Sequence, residues 1–346
     1  MDLPRCFEKV IVPTVDPPSR AASATGHRTV ADLCRMAWAV TRYPLDIFFF
    51  PSVYTFFPLL PPLRVIVTIH DVIAEHHPEM VFGQRRLAMF WRLKLALAVR
   101  QASLILTVSD HARHGIIDHF RLAPERVRTI LEAPDPIFRR VEAPRAPADL
   151  LPECTLPRSL GRYLLYVGGL SPHKNLHLLL EALRRLLASG EFPDLRLLLV
   201  GDYRSDVFHS AYESLRQDVR QSRLEDRVCF TGYVSDEVLV DLYNQADLLV
   251  LPSFEEGFGL PAFEAAACGT PVVTSDVGPV ADLLGPAAWA FPPHDIALLT
   301  AGLRDLLNDP ARRVSMGEAG RQRVLSFSWD LAADRLHSTF QEIGRF

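Results

Sequence analysis

Two carboxylates, Glu256 and Glu264, stand with seven residues between them in the stretch Ser253 to Gly269, which reads SFEEGFGLPAFEAAACG. A carboxylate accepts two hydrogen bonds side by side, which suits the neighbouring hydroxyls of a ribose or another sugar. Gly257 and Gly259 let the backbone between the two acids approach a ligand closely. Pro261 fits the first turn of a helix, where a missing N–H costs nothing. The free N–H groups of such a helix start attract an anion. A second stretch, Tyr166 to Asn175, reads YVGGLSPHKN. Gly168 and Gly169 follow a short apolar run there, and His173 and Lys174 open a helical pattern from Asn175 to Ala188. Diol acceptors, a helix start and a basic pair together match a nucleotide-sugar, in which a diphosphate joins a ribose to a second sugar. The plainer reading has Glu264 serving only the helix dipole and the glycines only a tight turn. For a lone glutamate that reading would be preferred. For the composite, directly after a buried strand pattern, the functional reading is preferred.

These residues need rigid carriers. Short apolar runs at Lys9–Pro13, Asp46–Phe50, Val65–Ile69, Leu104–Val108, Tyr163–Val167, Leu195–Val200, Val228–Thr231, Leu248–Leu251 and Pro271–Thr274 read as strands. They lack polar alternation, as parallel strands covered on both faces do. Helical patterns fall between them, so the fold class is α/β, built from strand–helix–strand units. Ligands of such sheets bind beyond the carboxyl ends of the strands. The glycine turns VGG (Val167–Gly169), VGD (Val200–Asp202), TGY (Thr231–Tyr233) and EEGFGLP (Glu255–Pro261) all fall there.

At 346 residues the chain exceeds a usual single core, so two domains are expected. The stretch Val141–Gly161, rich in Pro and Arg, reads as the linker. It separates a lobe of residues 1–140 from one of residues 162–325. Hydrophobic residues make up 49% and charged residues 23%, which fits a soluble globular protein. The net charge of −4 argues against nucleic acid as a partner. Five scattered cysteines without a CxxC pair suggest a reducing compartment and no structural zinc. The N-terminus lacks the apolar core of a signal peptide. The longest uncharged apolar run, Ile47 to Leu63, is broken by Pro51, Pro58, Pro61 and Pro62, which argues against a membrane-spanning helix. A cytoplasmic protein is the resulting expectation. Between Glu79 and Asp110 there is no acidic residue, while Arg85, Arg86, Arg92, Lys94 and Arg100 alternate with Leu87, Met89, Phe90, Trp91, Leu93 and Leu97. Residues 84–101 are therefore either a basic amphipathic helix for an anionic membrane surface at its inner face or a lobe helix with a solvated edge, and the two readings stand level.

The Glu–seven residues–Glu pattern, followed by AAACGTPVVTSDVG, resembles the retaining glycosyltransferases of family four, which have the two-lobed GT-B architecture. YVGGLSPHKN, VTIHD (Val67–Asp71), LTVSDHARH (Leu106–His114) and FSWDLAA (Phe327–Ala333) agree with it, so the resemblance runs from about residue 45 to the end. It implies that Glu264 holds the donor's ribose hydroxyls. Glu256 would lie against the donor sugar, with backbone N–H groups of Gly257, Phe258, Gly259 and Leu260 at its hydroxyls and phosphate. Lys174 would neutralise the leaving diphosphate, with Gly168, Gly169 and His173 beside it. His70 would face the donor sugar across the cleft; taken alone it would read as a satisfied core histidine beside the helix cap Asp71, but its place at a strand end favours function. Ser109 reads as a helix cap. Residues 326–346 would form a helix crossing back to the first lobe. No DxD motif occurs, so no metal and no other cofactor is expected. Lys174, the helix dipole and a charged His173 would take the metal's place. The HKN variant inclines the donor toward a mannose type with a guanine nucleotide, and the family resemblance implies a glycan or lipid-linked acceptor.

Three departures stand out. Gly169 stands where many family members carry an Arg that helps grip the diphosphate, and His173 resembles the variant that places a basic residue just before the lysine. EAPD (Glu132–Asp135) replaces the usual Asn-Gly entry to the linker, and no role is assigned to it. The strand, Gly-rich turn and helix that open a full family member before a stretch like FEKVIVPT (Phe7–Thr14) are absent, and Gly26, Gly83 and Gly115 are the only glycines before Ser159. The first lobe is thus expected to be the smaller one, with a reduced or open sheet that an upstream segment or a partner would complete. Two rival functions use the same residues: a nucleotide-sugar hydrolase or epimerase, and a non-catalytic nucleotide-sugar-binding or assembly subunit.

Overall fold

The computed structural model describes residues 8–15, 29–60, 63–151, 161–203 and 210–344. The first lobe carries four parallel strands, β1 (Ile47–Phe50), β2 (Arg64–Thr68), β3 (Leu104–Thr107) and β4 (Val127–Thr129), paired in that order. Helices α1 (Val30–Val40), α2 (Arg85–Gln101) and α3 (Asp110–Phe120) accompany them. Two short helical turns, Ile73–His76 and Pro78–Val81, lie between β2 and α2. One face of the sheet packs Val65, Val67 and Ile105 against Trp91, Leu95 and Ile116.

The second lobe has six parallel strands: β5 (Tyr163–Val167), β6 (Arg196–Val200), β7 (Val228–Gly232), β8 (Leu248–Leu251), β9 (Val272–Ser275) and β10 (Ala288–Phe291). Their spatial order is β10-β9-β8-β5-β6-β7. From β5 the chain winds outward to β7, then returns to place β8 on the other side of β5. That reversal opens a crevice between the loops that leave β5 and β8. Helices α4 (Leu176–Ala188), α5 (Tyr212–Gln221), α6 (Asp236–Gln245), α7 (Leu260–Cys268), α8 (Ile296–Asn308) and α9 (Pro310–Val324) cover the sheet. Leu176, Leu179, Leu180, Leu183 and Leu186 form the apolar stripe that docks α4, a spacing that places them on one helix face.

The last helix, α10 (Trp329–Gly344), lies on the first lobe. Its Leu336, Phe340 and Ile343 cover Ile66, Leu104 and Leu106 on the sheet face away from α2. Arg128 of β4 holds it, with Nη1 at 2.9 Å from Thr339 Oγ1 and 2.8 Å from Glu342 Oε2.

Several expected elements differ. Lys9–Pro13 is no strand: residues 8–14 run without ladder bonds, and Ile11 is 76% exposed. Two strands were illegible. β4 is three residues long and carries Arg128, and β10 is the four-residue run Ala-Trp-Ala-Phe with no β-branched residue. The first lobe's sheet is the smaller, four strands against six among the described residues. The cysteines are not all thiols: Cys34 and Cys268 are free, and Cys229 is in a disulfide, which runs against the reading from their scatter. Among the described residues no helix is long and apolar enough to cross a membrane.

Candidate active site

The two loops that flank the crevice are stitched together. After β5 the chain makes a tight turn, Pro172–Lys174, and Asn175 follows in the left-handed region at φ 56°. Asn tolerates that conformation better than most residues. Its buried Nδ2 donates to Pro252 O at 3.0 Å and to Pro293 O at 2.8 Å, fixing the loop to the ends of β8 and β10. Phe254 N donates to His173 O at 2.9 Å. Lys174 Nζ consequently reaches both oxygens of Glu256, at 2.8 and 3.0 Å. Ser253 Oγ donates to the same carboxylate at 2.6 Å, and Ser275 Oγ holds the Ser253 carbonyl at 2.6 Å.

Glu256 is buried, and burial alone would raise its pKa. The Lys174 charge and the hydrogen bonds from Lys174 and Ser253 outweigh that and hold it below the ordinary carboxylate value. His173 moves the other way to the charged ring expected. Burial, with Lys174 adding to it, lowers its pKa to about 3, so it is neutral in the unliganded protein. Its Nδ1 is buried with no hydrogen-bond partner among the described residues.

Two glycines set the shape of the second loop. Gly259 adopts φ +82°, and a Cβ there would fall 2.4 Å from Val280 Cγ2. At Gly257 a Cβ would lie 3.0 Å from Asp71 Cβ and 3.1 Å from His70 O, so the first lobe closes directly on this backbone. Ser109 Oγ caps α3 by accepting from Ala112 N and also donates across the cleft to Gly257 O at 2.6 Å. At the rim, Glu255 accepts from His76 Nδ1 at 3.0 Å and lies 3.5 Å from His77 Nε2.

The cleft so formed has a volume of about 360 Å³. His70, Asp71 and Glu132 line it from the first lobe, and Gly169, His173, Lys174, Glu256, Gly257, Phe258 and Gly259 from the second. Gly168, Leu260 and Glu264 do not line this cavity. Glu264 lies a turn into α7, half-buried, and accepts a 2.9 Å hydrogen bond from Tyr243 Oη. Burial, with Asp236 and Asp135 nearby, raises its pKa to about 7. The two acids thus occupy different environments: Glu256 faces the cation at the lobe junction, and Glu264 stands apart from it.

Several residues at the site were not singled out from the sequence. Glu132 lines the cleft with Oε1 3.9 Å from His70 Nε2, and burial raises its pKa although His70 offsets part of the shift. Its signal was the EAPD departure. Asp71 was read as a helix cap and does accept from Ile73 N at 3.0 Å, yet it also lines the cleft. Asn175, Tyr243 and Glu255 act through partners distant in sequence, which no local pattern displays.

The profile of the family described as glycosyl transferases group 1 matches residues 156–323. The chain is 33% identical to the O-antigen chain mannosyltransferase B of Escherichia coli over 86% of its own length and 74% of that protein. It is 36% identical to a glycogen synthase of Mycobacterium tuberculosis over 78% of its length, spanning 61% of that enzyme. Among solved structures, the glycosyltransferase WaaG of lipopolysaccharide biosynthesis superposes with a TM-score of 0.71 at 20% identity, covering 97% of this chain and 87% of that one. Anabaena Alr3699/HepE in complex with UDP and glucose superposes with a TM-score of 0.72 at 20% identity, over 90% and 81%. These neighbours carry the two-lobed GT-B architecture seen here. The chain belongs to the glycosyl transferases group 1 family, family four of the glycosyltransferases.

Proposed function

We propose that the protein is a retaining hexosyltransferase that moves a sugar from a nucleotide-diphosphate sugar to a glycan or lipid-linked acceptor, without a metal. The observation that carries this reading is the stitched pair of loops, which holds Lys174, Glu256 and the Gly257–Gly259 backbone that leads into α7 in one cleft opposite His70. Lys174 supplies a fixed positive charge where the diphosphate leaves. The N–H groups at the start of α7 add a partial one. Charge develops on the leaving oxygen in the transition state, so preorganised positive groups there lower the barrier. Glu256, kept ionised, accepts from the donor sugar's hydroxyls. Glu264, a turn further along α7, takes the ribose. In the transfer the bond from sugar C1 to phosphate oxygen breaks. The acceptor oxygen bonds C1 on the same face, and its proton passes to the departing phosphate. The mannosyltransferase relative and the HKN stretch support a mannose-type donor with a guanine nucleotide. The UDP-bound neighbour makes a uracil nucleotide the comparison to run beside it. A cytoplasmic setting at the inner membrane face, where a lipid-linked acceptor would be presented, belongs to the same proposal.

The test is release of nucleoside diphosphate from GDP-mannose and UDP-glucose, with and without a saccharide acceptor, with the product's anomeric configuration read by NMR. Acceptor-dependent release with the donor's configuration kept is expected, and Lys174→Ala should slow it about 10²–10³-fold. Fast release that needs only water would favour a hydrolase, and binding without any turnover a non-catalytic subunit.

A further inference from the structure

The face of α2 that points to solvent carries apolar side chains set among arginines. Met89, Phe90, Leu93 and Leu97 are 63%, 64%, 58% and 40% exposed. Arg85, Arg86, Arg92 and Arg100 are exposed with them. At about 100° per residue these eight positions share an arc of roughly 160° on the helix. The opposite arc, with Trp91, Leu95, Ala98 and Val99, is buried in the lobe. Scattered single apolar residues on a surface need no explanation. Four on one face of one helix, set among arginines and with no acid in the chain from residue 80 to residue 109, are more than scatter.

The buried face of the same helix supports the acceptor side of the cleft. Lys94 Nζ donates to Tyr54 O at 2.6 Å, and the Tyr54 and Trp91 rings stand 5.1 Å apart. Trp91 Nε1 donates to Glu75 Oε1 at 2.5 Å. Tyr54 lines the cleft itself. A second cavity, of about 530 Å³, opens at the start of α2 between Phe82, Met89 and the side chains of Arg85 and Arg92, with Glu79 at its edge. One helix diameter, about 10 Å, therefore separates the exposed stripe from the cleft wall.

We infer that α2 docks the first lobe on an anionic lipid surface, with Met89, Phe90, Leu93 and Leu97 seated among the acyl chains and the arginines at the lipid phosphates. This rests on the glycosyltransferase reading only for its purpose, which is to bring a lipid-linked acceptor within about a helix diameter of the cleft. The physical chemistry is that of an interfacial helix, in which apolar burial and attraction to anionic headgroups add. A neutral surface satisfies only half of the patch, and a second protein would have to be acidic around an apolar centre.

Flotation of the full chain with vesicles of phosphatidylcholine, with and without phosphatidylglycerol, tests this. Binding only to the anionic vesicles is expected, weakening with added salt. Replacing Phe90 and Leu93 together by Ser should weaken it about tenfold or more. Arg86→Gln and Arg100→Gln should each weaken it about fivefold. Nucleotide-sugar binding should stay unchanged in all of these, so failure of docking and failure of the donor site are read apart. No vesicle binding, equal binding to neutral vesicles, or a concentration-dependent dimer that the Phe90/Leu93 variant abolishes would each overturn the inference.

Discussion

Lys174 and Glu256 are nearly buried partners, with side chains 19% and 11% exposed. Removing one leaves the other charge uncompensated, which costs about 3–5 kcal/mol in a buried pair. Lys174→Ala should therefore lower the unfolding midpoint as well as turnover. Adding Glu256→Gln should restore much of the stability and none of the turnover, as thermal melts and donor-consumption rates on the same samples would show. The two titrating groups make opposite predictions for donor binding. Glu264 titrates at about 7, so carboxylate acceptance of ribose hydroxyls predicts affinity that tightens as pH rises through 7. A charged His173 predicts affinity that weakens with rising pH. Lifting His173 from about 3 to 7 would take roughly 5 kcal/mol from the diphosphate, so the Glu264 trend should prevail. Calorimetric titration with an intact nucleotide-sugar between pH 6 and 8 decides it, and Glu264→Gln should flatten the dependence. For the fold the signs are also opposite. Glu264, raised from 4.5, contributes stability that is full below pH 4.5 and lost as pH rises through 7. His173, lowered from 6.5, contributes stability that is present above pH 6.5 and lost as pH falls towards 3.

At the scale of elements, the strands that matter most to the site were legible. β5 and β8 are fully apolar because helices cover both faces, and each ends in the glycine-bearing loop that the sequence displays. The Glu256 and Glu264 spacing showed that both acids follow one strand. It did not show that α7 turns Glu264 away from the cavity that Glu256 lines, because that depends on Tyr243 from α6. β4 and β10 stayed hidden because the first is a three-residue strand interrupted by Arg128 and the second, Ala-Trp-Ala-Phe, has no β-branched residue. Glycine was the clearest local signal, and it supports a prediction. Gly259→Ala places a side chain at positive φ, costing about 1–2 kcal/mol before the clash with Val280 is counted. Gly257→Ala lacks that backbone strain but pushes against Asp71 and His70. The first should lower thermal stability more than the second, while both lower turnover; equal melting points would contradict this.

In the whole molecule, the lobes meet among the described residues through a few polar contacts, which no local pattern could reveal. Ser109 to Gly257 and the His76 and His77 pair on Glu255 bridge the cleft, while α10 ties the C-terminal end of the chain to the first lobe's sheet. Glu255→Ala should loosen the rim while leaving each lobe's core intact. A larger radius of gyration by X-ray scattering, with an unchanged unfolding midpoint, is the expected outcome. The account as a whole depends on the crevice between the β5 and β8 loops being a nucleotide-sugar site. Titration calorimetry of GDP-mannose and UDP-glucose into the wild-type chain, Glu264→Ala and Phe90→Ser tests that most directly. Saturable binding of one donor, weakened about tenfold or more by Glu264→Ala and untouched by Phe90→Ser, is predicted. No binding of any nucleotide-sugar, or binding that Glu264→Ala leaves at the wild-type level, would contradict it.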